Sequence, residues 1–336
     1  MNKLVTGICA AAVLIGCTNG ENSQITDVNT LSSPDGKLEM SFHLTGDGTP
    51  EYTLDYDGRP VILSSGMGFE LRGVLKAQKI DYNADGTVSK SDWKPCESLH
   101  DGFSVESVER SSYDETWAPV WGEEDSIRNN YNELAVNLVQ ASTERRLVIR
   151  FRLFNDGLGF RYELPSQKNL NYFVIKEELT QFAMTADHTA WWIPGDYDTQ
   201  EYNYTQCRLS EISKHFKEAL TGNDSQTPFS INGVQTSLQL RTDEGLYINI
   251  HEAALVNYPC MHLDLDPATL TFTSHLTPDA QGWKGRMQTP CKTPWRTIQV
   301  APSATAQLAS RMILNLNEPC ALEDVSWIHP VKYVGV

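Results

Sequence analysis

Residues 145–164, RRLVIRFRLFNDGLGFRYEL, contain the pattern that decides the fold class. Apolar and polar residues alternate on both sides of Asn155-Asp156-Gly157, a sequence typical of a tight turn. The apolar positions are Leu147, Ile149, Phe151 and Leu153 before the turn, and Phe160, Tyr162 and Leu164 after it. A period of two residues predicts a hairpin of two antiparallel strands with one buried face.

The same alternation recurs elsewhere in the chain, interrupted by Asp-Gly and Glu-Gly turns. Further strands are predicted in residues 37–63, 236–255, 268–276 and 296–316. Only residues 205–222 show apolar side chains three and four positions apart, which predicts one short amphipathic helix. We therefore expect an all-β fold, an enlarged antiparallel sandwich with a short helix, in a single domain.

The composition is that of a globular protein, and its charge excludes some classes of partner. The 336 residues are 40% hydrophobic and carry a formal net charge of −16. Nucleic acid and anionic lipid surfaces both require basic patches, so neither is expected as a partner. A neutral or cationic ligand such as Ca²⁺ is compatible with this charge, and so is a merely solvated acidic surface.

Residues 1–17 have the pattern of a bacterial lipoprotein signal. A lysine precedes an apolar stretch too short to span a membrane, and LIGC at residues 14–17 matches a lipobox. We expect acylation of Cys17, with residues 18–30 as a tether; an ordinary signal peptide cut nearby is the alternative. The protein is then exported in a bacterium, periplasmic or anchored to the outer membrane, and meets the membrane only through its lipid.

The remaining cysteines do not indicate a metal site. They are Cys96, Cys207, Cys260, Cys291 and Cys320, and no two of them form a C-x-x-C motif. Buried, reduced thiols are expected for most of them. A Cys260–Cys291 bridge is compatible with export, but the sequence does not select a pairing.

The segment GDYDTQEY, residues 195–202, contains three carboxylates in a short loop after an aromatic strand. Asp196, Asp198 and Glu201 could hold calcium, bind a sugar or face water, because hard cations take several oxygen ligands from one short segment. The Asp/Asn spacing of an EF-hand is missing, so the loop alone leaves these alternatives open.

Three further groups carry side chains that can do chemistry. His251 and Glu252 are adjacent in a predicted strand and should face opposite sides, one structural and one at the surface. Trp295 and Arg296 are expected to form a cation–π or buried ion-pair site. Residues 115–133 are predicted to form a long connection whose aromatic rings pack on the core or line a carbohydrate subsite.

Several long segments resemble glycoside hydrolase family 97, especially its α-glucosidases of bacterial starch utilisation. They are YNELAVNLVQ, VIRFRLFNDGLGFRYELP, FVIKEE, WWIPGDYDTQEYNY, CRLSEI, LYINIHEAALVNYPCMHL, MQTPCKTPWRTI, LNLNEPC and WIHPVKYVGV. The resemblance runs from about residue 31 to the last residue. It implies a β super-sandwich of the galactose-mutarotase type in residues 31–325, followed by residues 326–336 as the start of a linker into a (β/α)8 barrel.

The resemblance implies that catalysis needs more than this chain. In the family the catalytic carboxylates belong to the barrel, which needs roughly 250 residues. We therefore expect no catalytic residue in this chain and no hydrolase activity of the chain alone. The activity implied for the whole enzyme is inverting hydrolysis of α-glucosides, whereas members that act on α-galactosides retain configuration.

The resemblance also implies roles for two loops. Glu201 matches a glutamate that reaches into the active site and helps the barrel hold a catalytic Ca²⁺. Gly222, Asn223 and Asp224, within LTGNDSQTP at residues 220–228, match a segment that approaches the sugar. The implied partners are an α-linked gluco-oligosaccharide and the catalytic barrel.

Two other readings of the chain make different predictions. A non-catalytic carbohydrate-binding surface lipoprotein would bind malto-oligosaccharides saturably by itself. A structural fragment separated from its barrel would expose an apolar face and self-associate.

Overall fold

The computed structural model describes residues 26–75, 84, 93–94, 96–329, 331–332 and 334–335. Within these residues, antiparallel strands form two large sheets and one small sheet. The predicted signal sequence and Cys17 lie outside the described part of the chain. The first strand begins at Thr26, inside the stretch predicted as a tether.

Neighbouring strands in each sheet often come from distant parts of the chain. The eight-stranded sheet contains β1 (Thr26–Ser32), β2 (Leu38–Leu44), β3 (Pro50–Tyr56), β4 (Arg59–Gly66), β12 (Gln181–Met184), β19 (Thr271–Leu276), β18 (Met261–Asp266) and β15 (Gly233–Gln235). The ten-stranded sheet contains β14 (Thr205–Arg208), β13 (Thr189–Trp192), β16 (Leu238–Arg241), β17 (Tyr247–Ala253), β22 (Trp295–Ala301), β10 (Gly157–Leu164), β9 (Arg146–Phe154), β8 (Ile127–Gln140) and β7 (Phe103–Trp117), with β21 (Cys291–Lys292) beside β10. The small sheet contains β20 (Gly285–Gln288), β11 (Tyr172–Glu178), β5 (Phe69–Leu75) and β6 (Trp93–Lys94).

The predicted hairpin forms the centre of the sandwich. It is β9 and β10, and the alternating apolar residues named above are all buried. Their rings meet rings of the facing sheet: Phe42 and Phe151 lie 5.9 Å apart between centroids, and Tyr52 and Phe160 lie 5.0 Å apart. Each buried aromatic side chain contributes about 1.5–3 kcal/mol. The all-β super-sandwich with a short helix is confirmed.

The helices are shorter and more numerous than expected. The predicted helix is α1, Ile212–Ala219, after a 3-10 turn at Leu209–Glu211. The prediction of strands throughout residues 296–316 is wrong after β22, because α2 (Ala304–Leu308) and α3 (Met312–Asn315) follow it. The hydroxyl of Ser303 caps α2 by accepting a hydrogen bond from the Ala306 N–H, at 3.1 Å. None of the helices among the described residues has the length and apolar character that crossing a membrane requires.

An ionic cluster is buried between the sheets at Arg296. Its guanidinium donates two hydrogen bonds to Glu178, at 2.7 and 2.8 Å, and one to Glu252 at 2.6 Å. The Tyr258 hydroxyl donates to Glu178 at 2.8 Å. Arg296 and Glu178 are fully buried and Glu252 almost so. The predicted buried ion-pair site is confirmed, as is the structural role for one member of the His251–Glu252 pair.

The five cysteines predicted to remain after Cys17 are free thiols in the described structure. The Cys260–Cys291 bridge, left open by the sequence, is therefore not formed. Burial raises the pKa of the Cys291 thiol to about 12. This thiol is a poor nucleophile and metal ligand at neutral pH.

Candidate functional site

The acidic loop predicted from the sequence joins β13 to β14 and occupies residues 193–204. Its first half pairs with residues 227–235 through backbone hydrogen bonds, including one from the Tyr197 N–H to the Thr227 carbonyl oxygen at 3.2 Å. This irregular pairing brings the acidic loop beside the second predicted loop, residues 220–228.

The Asp196 side chain is an internal anchor of the acidic loop. Its carboxylate accepts hydrogen bonds from the N–H groups of Asp198 and Thr227, at 2.8 and 2.9 Å, and from the Tyr202 hydroxyl at 2.9 Å. Burial acts to raise the pKa of Asp196, but these hydrogen bonds outweigh it and hold the pKa below its usual value. With its oxygens engaged, Asp196 shapes the loop and is not a ligand for a further group.

Two side chains of the eight-stranded sheet form hydrogen bonds with the backbone carbonyl oxygen of Asp196. Gln235 Nε2 donates to the Asp196 carbonyl oxygen at 2.8 Å and to that of Thr199 at 3.1 Å. His262 Nε2 lies 2.9 Å from the Asp196 carbonyl, so this nitrogen carries the proton. Both side chains are buried. Because they come from β15 and β18, they tie the loop to the rigid core.

The acidic loop packs on the stacked rings of Phe229 and His275, which we name the aromatic floor. The Phe229 ring stacks on the His275 ring, with centroids 4.0 Å apart, and the Tyr197 hydroxyl lies 2.6 Å from His275 Nε2. A Cβ atom at Gly195 would lie 2.3 Å from the Phe229 ring, and one at Gly233 would lie 2.6 Å from it. The ring therefore sits directly on two glycine backbones, which explains these glycines at the loop base.

Glu201 is exposed at the outer end of this supported loop. Its N–H donates to the Thr199 hydroxyl at 3.1 Å, which fixes the backbone. Its carboxylate makes no hydrogen bond or ion pair with any residue that the structure describes. A carboxylate that lies on a fixed backbone and has no partner among the described residues is available to bind a cation.

The second loop lies against the first. Asn223 Nδ2 lies 3.5 Å from the Glu201 carbonyl oxygen, and the Ser225 hydroxyl donates to Asp198 at 2.8 Å. Gly222 and Asp224 are exposed, and a Cβ atom at Gly222 would meet nothing within 4 Å. The structure thus brings together Glu201 and residues 222–224, which the sequence places 21 or more positions apart.

Glu201 can supply only part of the oxygen ligands that a calcium ion requires. Ca²⁺ takes 6–8 oxygen ligands, and Glu201 offers a free carboxylate. In the part of the chain that the structure describes, no group of three or more His, Cys, Asp or Glu side chains could hold a metal ion. A calcium ion bound at Glu201 would therefore need oxygen ligands other than a cluster of carboxylates from the described residues.

The histidine in the aromatic floor gives a prediction about pH. Burial, with a smaller contribution from the charges of Lys284 and His262, lowers the pKa of His275 to about 3. In the unfolded chain it returns to about 6.5. Between these values the unfolded state binds more protons, so the free energy of unfolding should fall as pH falls. We expect His275→Gln to make this fall shallower, as measured by denaturant unfolding at several pH values.

The control for this experiment is His215→Gln on α1, whose side chain is 41% exposed. The change that His275→Gln makes to the slope of stability against pH should exceed the change that His215→Gln makes. A His275→Gln profile parallel to the original between pH values of about 6.5 and 3 would contradict the prediction.

The other predicted candidates have structural positions. Trp295 is buried, with the guanidinium carbons of Arg152 and Arg161 at 4.8 and 4.3 Å from its ring centroid. The prediction of a long connection at residues 115–133 is wrong, because β7 and β8 extend into it and leave only residues 118–126 between them. Trp121, in that shorter connection, is 61% exposed and does not pack in the core.

Sequence reasoning missed His262 and Gln235, the two side chains that fix the acidic loop. Both lie in strands where a polar residue predicts an outward position, yet both are buried. A local signal was present only for His262, which lies within a segment that carried the family resemblance.

Comparison with known proteins places this geometry in a family. A family model described as Glycosyl-hydrolase 97 N-terminal matches residues 31–319. A retaining alpha-galactosidase of Bacteroides thetaiotaomicron is 24% identical over an alignment of 333 positions, which covers 90% of this chain and 43% of that protein.

Solved structures agree with this assignment. A glycoside hydrolase family 97 enzyme from Pseudoalteromonas sp. strain K8, in complex with acarbose, is 32% identical with a TM-score of 0.73. The match covers 90% of this chain and 40% of that enzyme, and a variant of the same enzyme in complex with panose matches equally well. A beta-arabinopyranosidase, 17% identical with a TM-score of 0.62, shares the fold. The chain spans less than half the length of these relatives, and it belongs to glycoside hydrolase family 97 as an N-terminal domain of that family.

Proposed function

We propose that this chain is the N-terminal domain of a calcium-dependent family 97 enzyme that hydrolyses α-glucosides such as malto-oligosaccharides. In this proposal Glu201 supplies one ligand to the calcium ion. Gly222, Asn223 and Asp224 form part of the wall of the sugar site. The catalytic carboxylates belong to a (β/α)8 barrel, so the domain alone is inactive.

The observation that carries the proposal is the free carboxylate of Glu201 on a loop held from several directions. The side chains of Gln235 and His262 bind the loop backbone, and Asp196 closes it from within. A side chain that only contacts water does not require a loop backbone that is fixed by several buried side chains. Preorganised ligands on rigid elements are what a binding site requires.

The substrate class rests on the relatives. The Pseudoalteromonas enzyme, at 32% identity, is described in complexes with acarbose and panose, which contain α-linked glucose or glucose-like rings. The Bacteroides enzyme named as an alpha-galactosidase is less similar, at 24% identity. This difference favours α-glucosides over α-galactosides.

Each group has a stated role in the proposed enzyme. When bound, calcium would act as a Lewis acid toward the glycosidic oxygen. Glu201 would hold that cation, and the loop at residues 222–224 would orient the sugar beside it. The proposed stereochemical outcome is inversion, in which water attacks opposite the leaving group. The named galactosidase is retaining, so the anomer first released is a direct test of this detail.

The proposal is tested by removing the metal from the full-length enzyme. We expect EDTA to abolish release of glucose from p-nitrophenyl α-glucoside or maltose, and added Ca²⁺ to restore it. NMR of the first anomer formed reports inversion or retention. Full activity in EDTA would contradict the calcium role, and cleavage of α-galactosides alone would contradict the substrate class.

A further inference from the structure

A second set of sugar-compatible side chains lies on the outer face of the ten-stranded sheet. Trp191, Gln239, Asn249 and Gln299 are aligned across β13, β16, β17 and β22 by the strand register. Their neighbours along each strand are fully or almost fully buried on the inner face. Since strand side chains alternate between faces, this row points outward, away from the sandwich core.

Trp191, Gln239 and Gln299 of this row, together with α2, border a cleft of about 610 Å³, which we name the outer-face cleft. Its lining includes Trp191, Gln239, Tyr247, Gln299 and Gln307. The volume lies within the range of small-molecule sites. None of its lining residues belongs to residues 193–204 or 220–228, so the cleft is separate from the candidate site at Glu201.

The chemistry of the cleft favours a neutral polyhydroxylated ligand. Among the described residues that line it, Arg241 is the only charged one, although the chain has a net charge of −16. Two partly buried aromatic rings line the cleft: Trp191 can face the C–H surface of a sugar ring, and Tyr247 has the Arg241 guanidinium carbon 5.6 Å from its ring centroid. The Gln239 amide is hydrogen-bonded within the sheet, and Gln299 Nε2 donates to the Ser310 hydroxyl, which leaves the amide oxygens of Gln299 and Gln307 as acceptors for hydroxyl groups.

One of these amides has no partner. Gln307 Nε2 is buried and makes no hydrogen bond with any residue that the structure describes. An unpaired buried donor is costly, so its presence calls for an explanation. A hydroxyl group in the cleft would satisfy it once the Gln307 side chain turns toward the cleft.

We propose that the outer-face cleft binds a neutral oligosaccharide, as a second carbohydrate site apart from Glu201. The choice of a malto-oligosaccharide as first ligand rests on the proposed function. The proposal that the cleft binds a sugar rests on the aromatic and amide side chains that line it.

The test is isothermal titration calorimetry with maltoheptaose, cellohexaose and stachyose, using the full-length protein with Glu201→Gln so that substrate is not consumed. We expect saturable binding of maltoheptaose, weakened about tenfold by Trp191→Ala through loss of the stacking surface. Gln307→Ala should also weaken binding, whereas a purely structural amide would leave binding unchanged. Trp121→Ala, which removes an exposed ring outside the cleft, is the matched control.

Two results of this titration would contradict the proposed sugar site. No saturable binding of any of the three sugars in the millimolar range would overturn it, as would binding that Trp191→Ala and Trp121→Ala leave equally unchanged. If Trp191→Ala does not fold, Tyr247→Ala and Gln307→Ala carry the test. Binding of stachyose but not maltoheptaose, sensitive to Trp191→Ala, would support the cleft and count against the α-glucoside preference of the proposed function.

Discussion

Replacing Glu201 by glutamine in the full-length enzyme should lower its affinity for Ca²⁺ by at least about 100-fold. Outer-shell changes at metal sites already cost about 10–100-fold, and a direct ligand should cost no less. Glutamine keeps the size of the side chain but removes the charge that attracts the cation. Calorimetric titration of Ca²⁺ and the Ca²⁺-induced rise in melting temperature measure the loss independently of activity.

The matched control for this change is Asp198→Asn. It removes the same charge three residues earlier in the loop, and its amide oxygen can still accept the hydrogen bond from Ser225. We expect Asp198→Asn to retain nearly the original calcium affinity. Equal losses for the two variants would mean that the loop attracts calcium only through its net charge, and Glu201 would lose its assigned role.

Arg296→Met should destabilise the protein by about 3–5 kcal/mol. The change leaves Glu178 and Glu252 buried without the guanidinium that binds both. Arg146→Met is the matched control, because Arg146 lies in the same sheet and pairs with Glu106 while 51% exposed. Exposed pairs contribute about 0–1 kcal/mol. Denaturant unfolding at neutral pH gives both values.

The pH dependence of the stability lost in Arg296→Met shows whether unpaired charge or lost packing causes the loss. Burial already raises the pKa of Glu252 in the presence of Arg296. Without the guanidinium the folded state should bind protons at higher pH, so the stability of Arg296→Met relative to the original protein should recover as pH falls. A deficit that stays constant with pH would indicate lost packing and not unpaired charge.

The sandwich could be predicted from sequence where its signal is local. The period of two in residues 145–164 follows from one face that is turned into the core, and the structure buries that face as predicted. The prediction failed at residues 304–315 because α2 and α3 have only five and four residues. Helices of about one turn contain too few residues to show a period of 3.6.

The candidate site could be predicted only in part, since its parts are distant in sequence. The three carboxylates of residues 195–202 indicated a candidate site as a group, but nothing in that segment shows that Asp196 anchors the loop whereas Glu201 is exposed. This difference arises from contacts with Thr227, Gln235 and His262, which depend on how the loop pairs with residues far along the chain. The family resemblance, and not the spacing, singled out Glu201.

The last strand of the ten-stranded sheet, β7, has a consequence for solubility. Its 15 residues pair with β8 on one side, and on the other side no strand of the described residues pairs with them, which leaves a long row of backbone donors and acceptors. Such an edge can template pairing between molecules. Here Glu106, Glu109, Arg110, Asp114 and Glu115 place charges along it. Glu106 and Asp114 pair with Arg146 and Arg128, so a second copy approaching this edge would meet charged side chains of both signs, which disfavour pairing between molecules along β7.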